Sequence, residues 1–155
     1  MVRPIVEYAS VVWSPHQSIL INDLERIQTK FLRYLGVRTG FLYREVHVDR
    51  PDEALCLPPL AARRKVQDLM FLYKVINGLI DCPELLERVF FRLPSHAREL
   101  FRFRRFHHVT NYEMNSAMVR MQRLGNSLSE EVDFFFVSEA TFRRSIKDFH
   151  FSGDH

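Results

Sequence analysis

Pro58-Pro59-Leu60-Ala61-Ala62-Arg63-Arg64-Lys65-Val66-Gln67-Asp68-Leu69-Met70-Phe71-Leu72-Tyr73-Lys74-Val75-Ile76-Asn77-Gly78 decides the fold class of this 155-residue chain. Two prolines pre-set the backbone of a first helical turn, and Asn77-Gly78 supplies the left-handed residue on which helices end. Between them Leu60, Val66, Leu69, Leu72, Tyr73 and Ile76 recur at helical spacing, so one apolar stripe runs the length of a helix over roughly 59–77. A stripe of that length needs a partner surface, and the flanking sequence offers mainly further helices.

Upstream, Pro4 opens a short helix over residues 4–13, and Trp13-Ser14-Pro15 stops it because the residue before a proline is pushed out of the helical region. Ser18 or Asn22 caps a second helix, with Leu20, Leu24, Ile27, Phe31 and Tyr34/Leu35 on one face and Gly36 as its terminator. Residues 36–57 lack periodicity and read as a connector. Downstream, residues 83–91 form a short apolar unit around Leu85, Leu86 and Val89. Ser116 caps a helix with Met118, Met121 and Leu124 inward, and Ser138 caps a last one with Phe142, Ile146 and Phe149 inward. Residues 92–111 are different: Phe101-Arg102-Phe103-Arg104 alternates with period two, a strand signature with no convincing second strand to pair with. The chain reads as all-α, a small multi-helix bundle with an extended basic loop or small hairpin around 92–111. Its organisation reads as a helical pair over 1–36, the connector 37–57, a helical region over 58–149 and a frayed tail over 150–155.

The net charge is +3, and it is unevenly placed. Residues 1–91 sum to +1 and residues 109–155 to −2, whereas 92–108 hold five Arg and one Glu. An anionic partner is sought there first. Arg98, Arg102, Arg104 and Arg105 alternate with Phe101, Phe103 and Phe106, so guanidinium groups could neutralise phosphates while rings stack on unpaired bases. Equally, the rings could anchor the loop to the helices while the arginines stay in water. Arg26, Lys30 and Arg33 lie in one line on the second helix, either a phosphate-facing stripe or a solvated face with Glu25 nearby. Arg63 and Arg64 open the long helix, where positive charge opposes the macrodipole and so favours an outside partner. Arg120 and Arg123 share a helix face and read as solvating charges. Fourteen Phe imply an aromatic core or some aromatic surface awaiting a partner.

Catalytic chemistry is missing from the pattern. There is no aromatic-x-Asp-Asp pair of the kind that holds two metal ions, no Gly-rich phosphate loop, no GxSxG elbow and no HExxH pair. Seven His and two Cys (Cys56 and Cys82) avoid zinc-ligand spacing, so no metal and no cofactor is expected. The cysteines make no disulfide framework, the first residues lack signal-peptide order, and no apolar run is long enough for a membrane. The expected setting is nuclear or cytoplasmic.

The opening Met1-Val-Arg-Pro-Ile-Val-Glu-Tyr-Ala-Ser-Val-Val-Trp-Ser-Pro15 resembles the junction just past the polymerase domain in reverse transcriptases of jockey-type non-LTR retrotransposons of insects. Further blocks resemble the same family in the same order: 60–65 with 68–78, 80–86, Thr110-Asn111-Tyr112 with Asn115, Arg120-Met121 with Asn126, Asp133-Phe134, and Phe142-Arg143. Gly125 stands where that pattern carries an aromatic residue, and inside a helix a glycine costs about 1 kcal/mol relative to alanine.

The resemblance implies a thumb-like helical region that follows the palm of an RNA-directed DNA polymerase. Such a fragment would not be an enzyme on its own. It would assist RNA or template–primer binding through phosphates, with Arg26, Lys30 and Arg33 as first contacts and Arg63, Arg64, Arg98, Arg102, Arg104 and Arg105 as further ones. Its partners would be RNA or an RNA–DNA duplex and the missing polymerase core, without a membrane. The alternatives are a helical protein-interaction module or the non-functional remnant of a decayed mobile element.

Overall fold

A computed structural model describes residues 7–38, 40, 58–92, 102–105, 107, 110–128 and 132–148. These residues are predominantly α-helical, with seven helices among them: α1 Ser10–Trp13, α2 Ser18–Arg38, α3 Leu60–Ile76, α4 Pro83–Leu86, α5 Asn111–Met114, α6 Ala117–Ser127 and α7 Glu139–Asp148. They form two compact units, Met1–Arg64 and Lys65–His155, with the boundary inside α3.

In the first unit, α2 delivers the polar contacts that start α3. The Ala61 backbone N–H, one of the donors a helix start leaves without an intrahelical partner, donates to Glu25 Oε1 at 2.8 Å. Glu25 therefore caps a neighbouring helix and is not a counter-charge on the Arg26–Lys30–Arg33 face. Gly36 does not terminate α2: it is buried inside the helix, which continues to Arg38. The apolar stripe expected on α2 is buried only in part. Leu24, Phe31 and Leu35 of it are half-buried and Leu20, Ile27 and Tyr34 exposed, whereas the buried positions of the helix, Leu32 and Gly36, lie outside the expected stripe.

The second unit is built on rings. Leu69, Leu72 and Tyr73 of α3, Met118 and Met121 of α6, and Phe142 and Ile146 of α7 are buried, as the periodicities predict. Gly78, at φ 66°, ends α3: its N–H reaches Val75 O at 3.3 Å, and Leu79 N–H reaches Lys74 O at 2.9 Å. That pair of bonds satisfies carbonyls the helix end would otherwise orphan. Ser138 Oγ accepts the Thr141 N–H at 3.2 Å and so caps α7. Phe149 and the 150–155 tail lie outside the described residues, as do Pro4 and most of the 36–57 connector.

Three findings depart from the sequence reading. First, the alternating segment does have a pairing partner. Phe91 bridges Phe103 in antiparallel fashion, flanked by Arg92 N–H to Arg102 O at 2.9 Å and Arg104 N–H to Phe90 O at 2.8 Å. This brackets Phe91 and Phe103 as a non-hydrogen-bonded pair, the arrangement in which side chains come closest, and their ring centroids are 5.7 Å apart. Second, Arg120 is not a solvating charge. Its Nε donates to Asp68 Oδ2 at 2.8 Å and its Nη2 to Oδ1 at 3.2 Å, with the two side chains only 11% and 2% exposed. Third, Gly125 is a geometric requirement. A Cβ there would lie 2.5 Å from Phe103 Cε2, so the Phe103 ring occupies the space a side chain would need.

Gly125→Ala gains about 1 kcal/mol of helix propensity. It must also displace a ring that is 1% exposed and wedged edge-on against Phe134, and such overpacking costs about 1–3 kcal/mol. The variant is expected to unfold at lower urea concentration than the parent; equal or greater stability would show that the ring is not held there. Arg120→Ala, which removes a two-point partner of the buried Asp68 carboxylate, is expected to destabilise the chain by up to about 3–5 kcal/mol in the same measurement.

Candidate nucleic-acid interface

Two side-chain amides on α6 hold the basic ribbon in place. Asn126 Oδ1 accepts the Phe103 N–H at 2.8 Å while its Nδ2 donates to Phe103 O at 2.9 Å, so the side chain copies the two bonds of a neighbouring strand. One turn earlier, Gln122 Oε1 accepts the Phe90 N–H at 3.1 Å and its Nε2 donates to Arg88 O at 2.9 Å. Residues four apart share a helix face, so each of the two paired segments is tied to the same side of α6. Between these amides and Gly125, the segment can approach the helix backbone closely.

The ribbon carries its charge outward. Arg104 and Arg105 are exposed, and together with Phe91 and Arg92 they line a shallow depression. Arg102 is half-buried: its guanidinium lies over the Phe134 ring at 5.8 Å and donates to Gly125 O at 3.4 Å. Phe103 resolves the two readings of the Arg–Phe alternation in favour of anchoring at that position, because a buried ring cannot stack on a base. Arg98, Phe101 and Phe106 lie outside the described residues.

The other basic positions divide. On α2, Arg26 and Lys30 are exposed and Arg33 is half-buried, with Arg26 Nη1 2.8 Å from Asp23 Oδ1. Arg63 and Arg64, by contrast, are used inside the first unit. Arg63 pairs with Glu7 and donates to Gln28, and the Arg64 guanidinium, 5% exposed, sits 4.5 Å over the Trp13 ring. The outward basic cluster read at the start of α3 is therefore corrected. Its opposition to the macrodipole is met by a carboxylate and a ring within the fold, not by an outside partner.

Sequence reasoning missed the exposed rings beside the ribbon. Phe91 touches Phe135 at a centroid distance of 5.6 Å, and Phe135 touches Phe136 at 6.5 Å. The three are 45%, 50% and 91% exposed. The Phe134-Phe135-Phe136 run was the available signal, since three consecutive side chains cannot all point into one core.

Among the described residues no cluster of three or more His, Cys, Asp or Glu could hold a metal. The Glu84 carboxyl is held below its ordinary range first by its own backbone N–H and then by the Cys82 thiol, an effect confined to the first turn of α4. No described helix is long and apolar enough to cross a membrane. No family model, curated protein sequence or solved structure matches this chain.

Arg63→Ala is expected to lower stability by about 2 kcal/mol, because it removes a cation paired with a mostly buried Glu7 carboxylate and the donor to Gln28. Lys30→Ala, on an exposed helix face, is expected to stay within about 0.5 kcal/mol of the parent. Thermal unfolding of the two variants side by side checks the division between structural and outward cations.

Proposed function

We propose that this chain is the region C-terminal to the palm of a jockey-type non-LTR retrotransposon reverse transcriptase, and that it assists RNA-directed DNA synthesis by binding RNA or the template–primer duplex through phosphates. The observation that carries the reading is the ribbon. Four arginines fall within residues 90–92 and 102–105, no acid lies in those two segments, and Arg104 and Arg105 are exposed. A duplex of A-like shape offers phosphates and a shallow groove, so grip on it comes from charge and shape without base reading. The exposed Arg26 and Lys30, with Arg33, supply a second basic stretch on a helix, in keeping with a thumb-like element. The chain contributes no catalysis in this reading; it adds positive grip to a polymerase core that holds the metal ions elsewhere.

A helical protein-interaction module is the second reading, and one observation favours it. Ile19, Leu20, Ile27, Tyr34 and Val37 of α2 are all exposed, more apolar side chains than a solvated helix carries without a partner.

Binding of a fluorescent RNA–DNA duplex at several salt concentrations separates the two. Phosphate contacts release counterions, so affinity is expected to fall steeply as salt rises, and Arg104→Ala with Arg105→Ala is expected to reduce the slope of log K against log salt by about 2. Adding Arg102→Ala tests whether the half-buried guanidinium takes part. Absence of duplex binding, or binding indifferent to salt, removes the nucleic-acid reading and leaves the interaction module. DNA synthesis by the purified chain would overturn the claim that it is catalytically silent.

A further inference from the structure

We propose that Phe91, Phe135 and Phe136, flanked by Arg92, Arg104 and Arg105, form a stacking platform for the unpaired bases of a single-stranded nucleic acid. The proposal rests on the reading of the ribbon as a phosphate-binding surface and adds to it a ligand class, single strand with exposed base faces, that charge alone does not select.

The platform is the outer end of a continuous column of rings. Tyr73 stacks on Phe142 at 4.5 Å, Phe142 meets Phe134 at 4.9 Å, and Phe134 meets Phe103 edge-on at 5.6 Å; all four rings are buried. From Phe103 the contacts pass to Phe91, then Phe135, then Phe136, and the rings become progressively exposed. The inner rings back Phe91 and, through it, Phe135, whereas Phe136 stands largely clear of the fold. Asp133 Oδ1 also holds the Phe135 N–H at 2.8 Å, which sets the turn that presents Phe135 and Phe136. Phe91 and Phe135, backed in this way, have less conformational freedom to lose when a ligand covers them.

Geometry and charge both point to bases. Phe91 and Phe135 are inclined by 49° and Phe135 and Phe136 by 57°, so the rings do not make one flat surface. They offer separate faces, suited to bases splayed apart along a flexible strand and unsuited to a duplex, whose base faces are covered by neighbouring pairs. Arg92, Arg104 and Arg105 line the depression beside Phe91, so a backbone running past the rings meets guanidinium groups where its phosphates fall. Asp133 accepts the Phe135 backbone N–H. Exposed rings with guanidinium groups beside them are the combination that sequence-tolerant single-strand binding uses.

The test compares three probes on the full chain: a fluorescein-labelled 12-nucleotide RNA, an abasic oligomer of the same length and charge, and a blunt RNA–DNA duplex. One or two stacked bases are expected to make the RNA bind roughly ten- to a hundredfold more tightly than its abasic counterpart. Phe135→Ala with Phe136→Ala is expected to erase that margin while leaving abasic and duplex affinities and their salt dependence unchanged. Equal binding of base-carrying and abasic strands overturns the platform and leaves the phosphate reading standing. Loss of abasic binding in the Phe variant also overturns it, since the rings would then be acting on the fold or the charges. If none of the three probes binds, both proposals fail, and the exposed rings belong to a protein contact. The abasic comparison needs no variant, so the outcome does not depend on how the substitutions fold.

Discussion

The contact between the Phe103 ring and the missing side chain of Gly125 is the constraint on which the second unit depends. A two-stranded ribbon is marginal by itself, with too few ladder bonds to offset the entropy of ordering its backbone. Here the ribbon borrows its stability from α6. Gly125 lets the ring sit against the helix backbone, and Asn126, the next residue, occupies both backbone groups of the residue that bears the ring. Gln122 secures the opposite segment through Phe90 and Arg88. With Phe103 placed, Phe134 has its edge-on neighbour, and through Phe134 the column reaches Phe142 and Tyr73. The backbone amides of a loop and the rings of a helical core are thus fixed by three residues on one helix.

Much of the helical framework is legible because its signals are local. Pro58-Pro59 and Asn77-Gly78 mark α3, Ser138 marks α7, and Leu60, Leu69, Leu72, Tyr73, Phe142 and Ile146 are buried as their spacing predicts, whereas Val66 and Ile76 are half-buried and Met70 and Val75 are buried off the expected stripe. What is illegible is set at a distance. The pairing of Phe91 with Phe103 is a single bridge, too short to show alternation on the Phe90-Phe91-Arg92 side, which reads instead as the end of the apolar unit that starts at Pro83. Gly125 reads as a cost when only its own helix is considered, and becomes a necessity once a ring from 22 residues upstream arrives. The exposed side chains of α2 show the reverse case: the stripe has helical period, but periodicity cannot say how much surface there is to cover it.

The arginines make the same point in electrostatic terms. A guanidinium looks identical in sequence whether it meets water, a carboxylate or a ring. Arg120 finds Asp68 from 52 residues away, Arg63 finds Glu7 and Gln28, and Arg64 finds Trp13. Each of these would be costly to bury without its partner, so the fold has committed them to structural roles. Arg104 and Arg105, with Arg26 and Lys30, remain outward. A formal charge count treats the buried and the exposed groups alike.

The exposed rings call for a different explanation from the exposed charges. Water accepts a guanidinium readily, so an outward arginine needs no partner to be tolerated. A phenylalanine that is 91% exposed gains almost nothing from folding, and its neighbours do not require it. Asp133 fixes the turn through the Phe135 backbone, which any side chain at 136 would leave intact, and Phe134 alone supplies the ring the core uses. The fold would be as well served by a polar residue at 136 and would then present less apolar surface to solvent. A ring that contributes little to its own fold, next to rings that contribute a great deal, has the free face of a contact surface. Guanidinium groups beside Phe91, at one end of the patch, suit a ligand that combines flat apolar faces with negative charge.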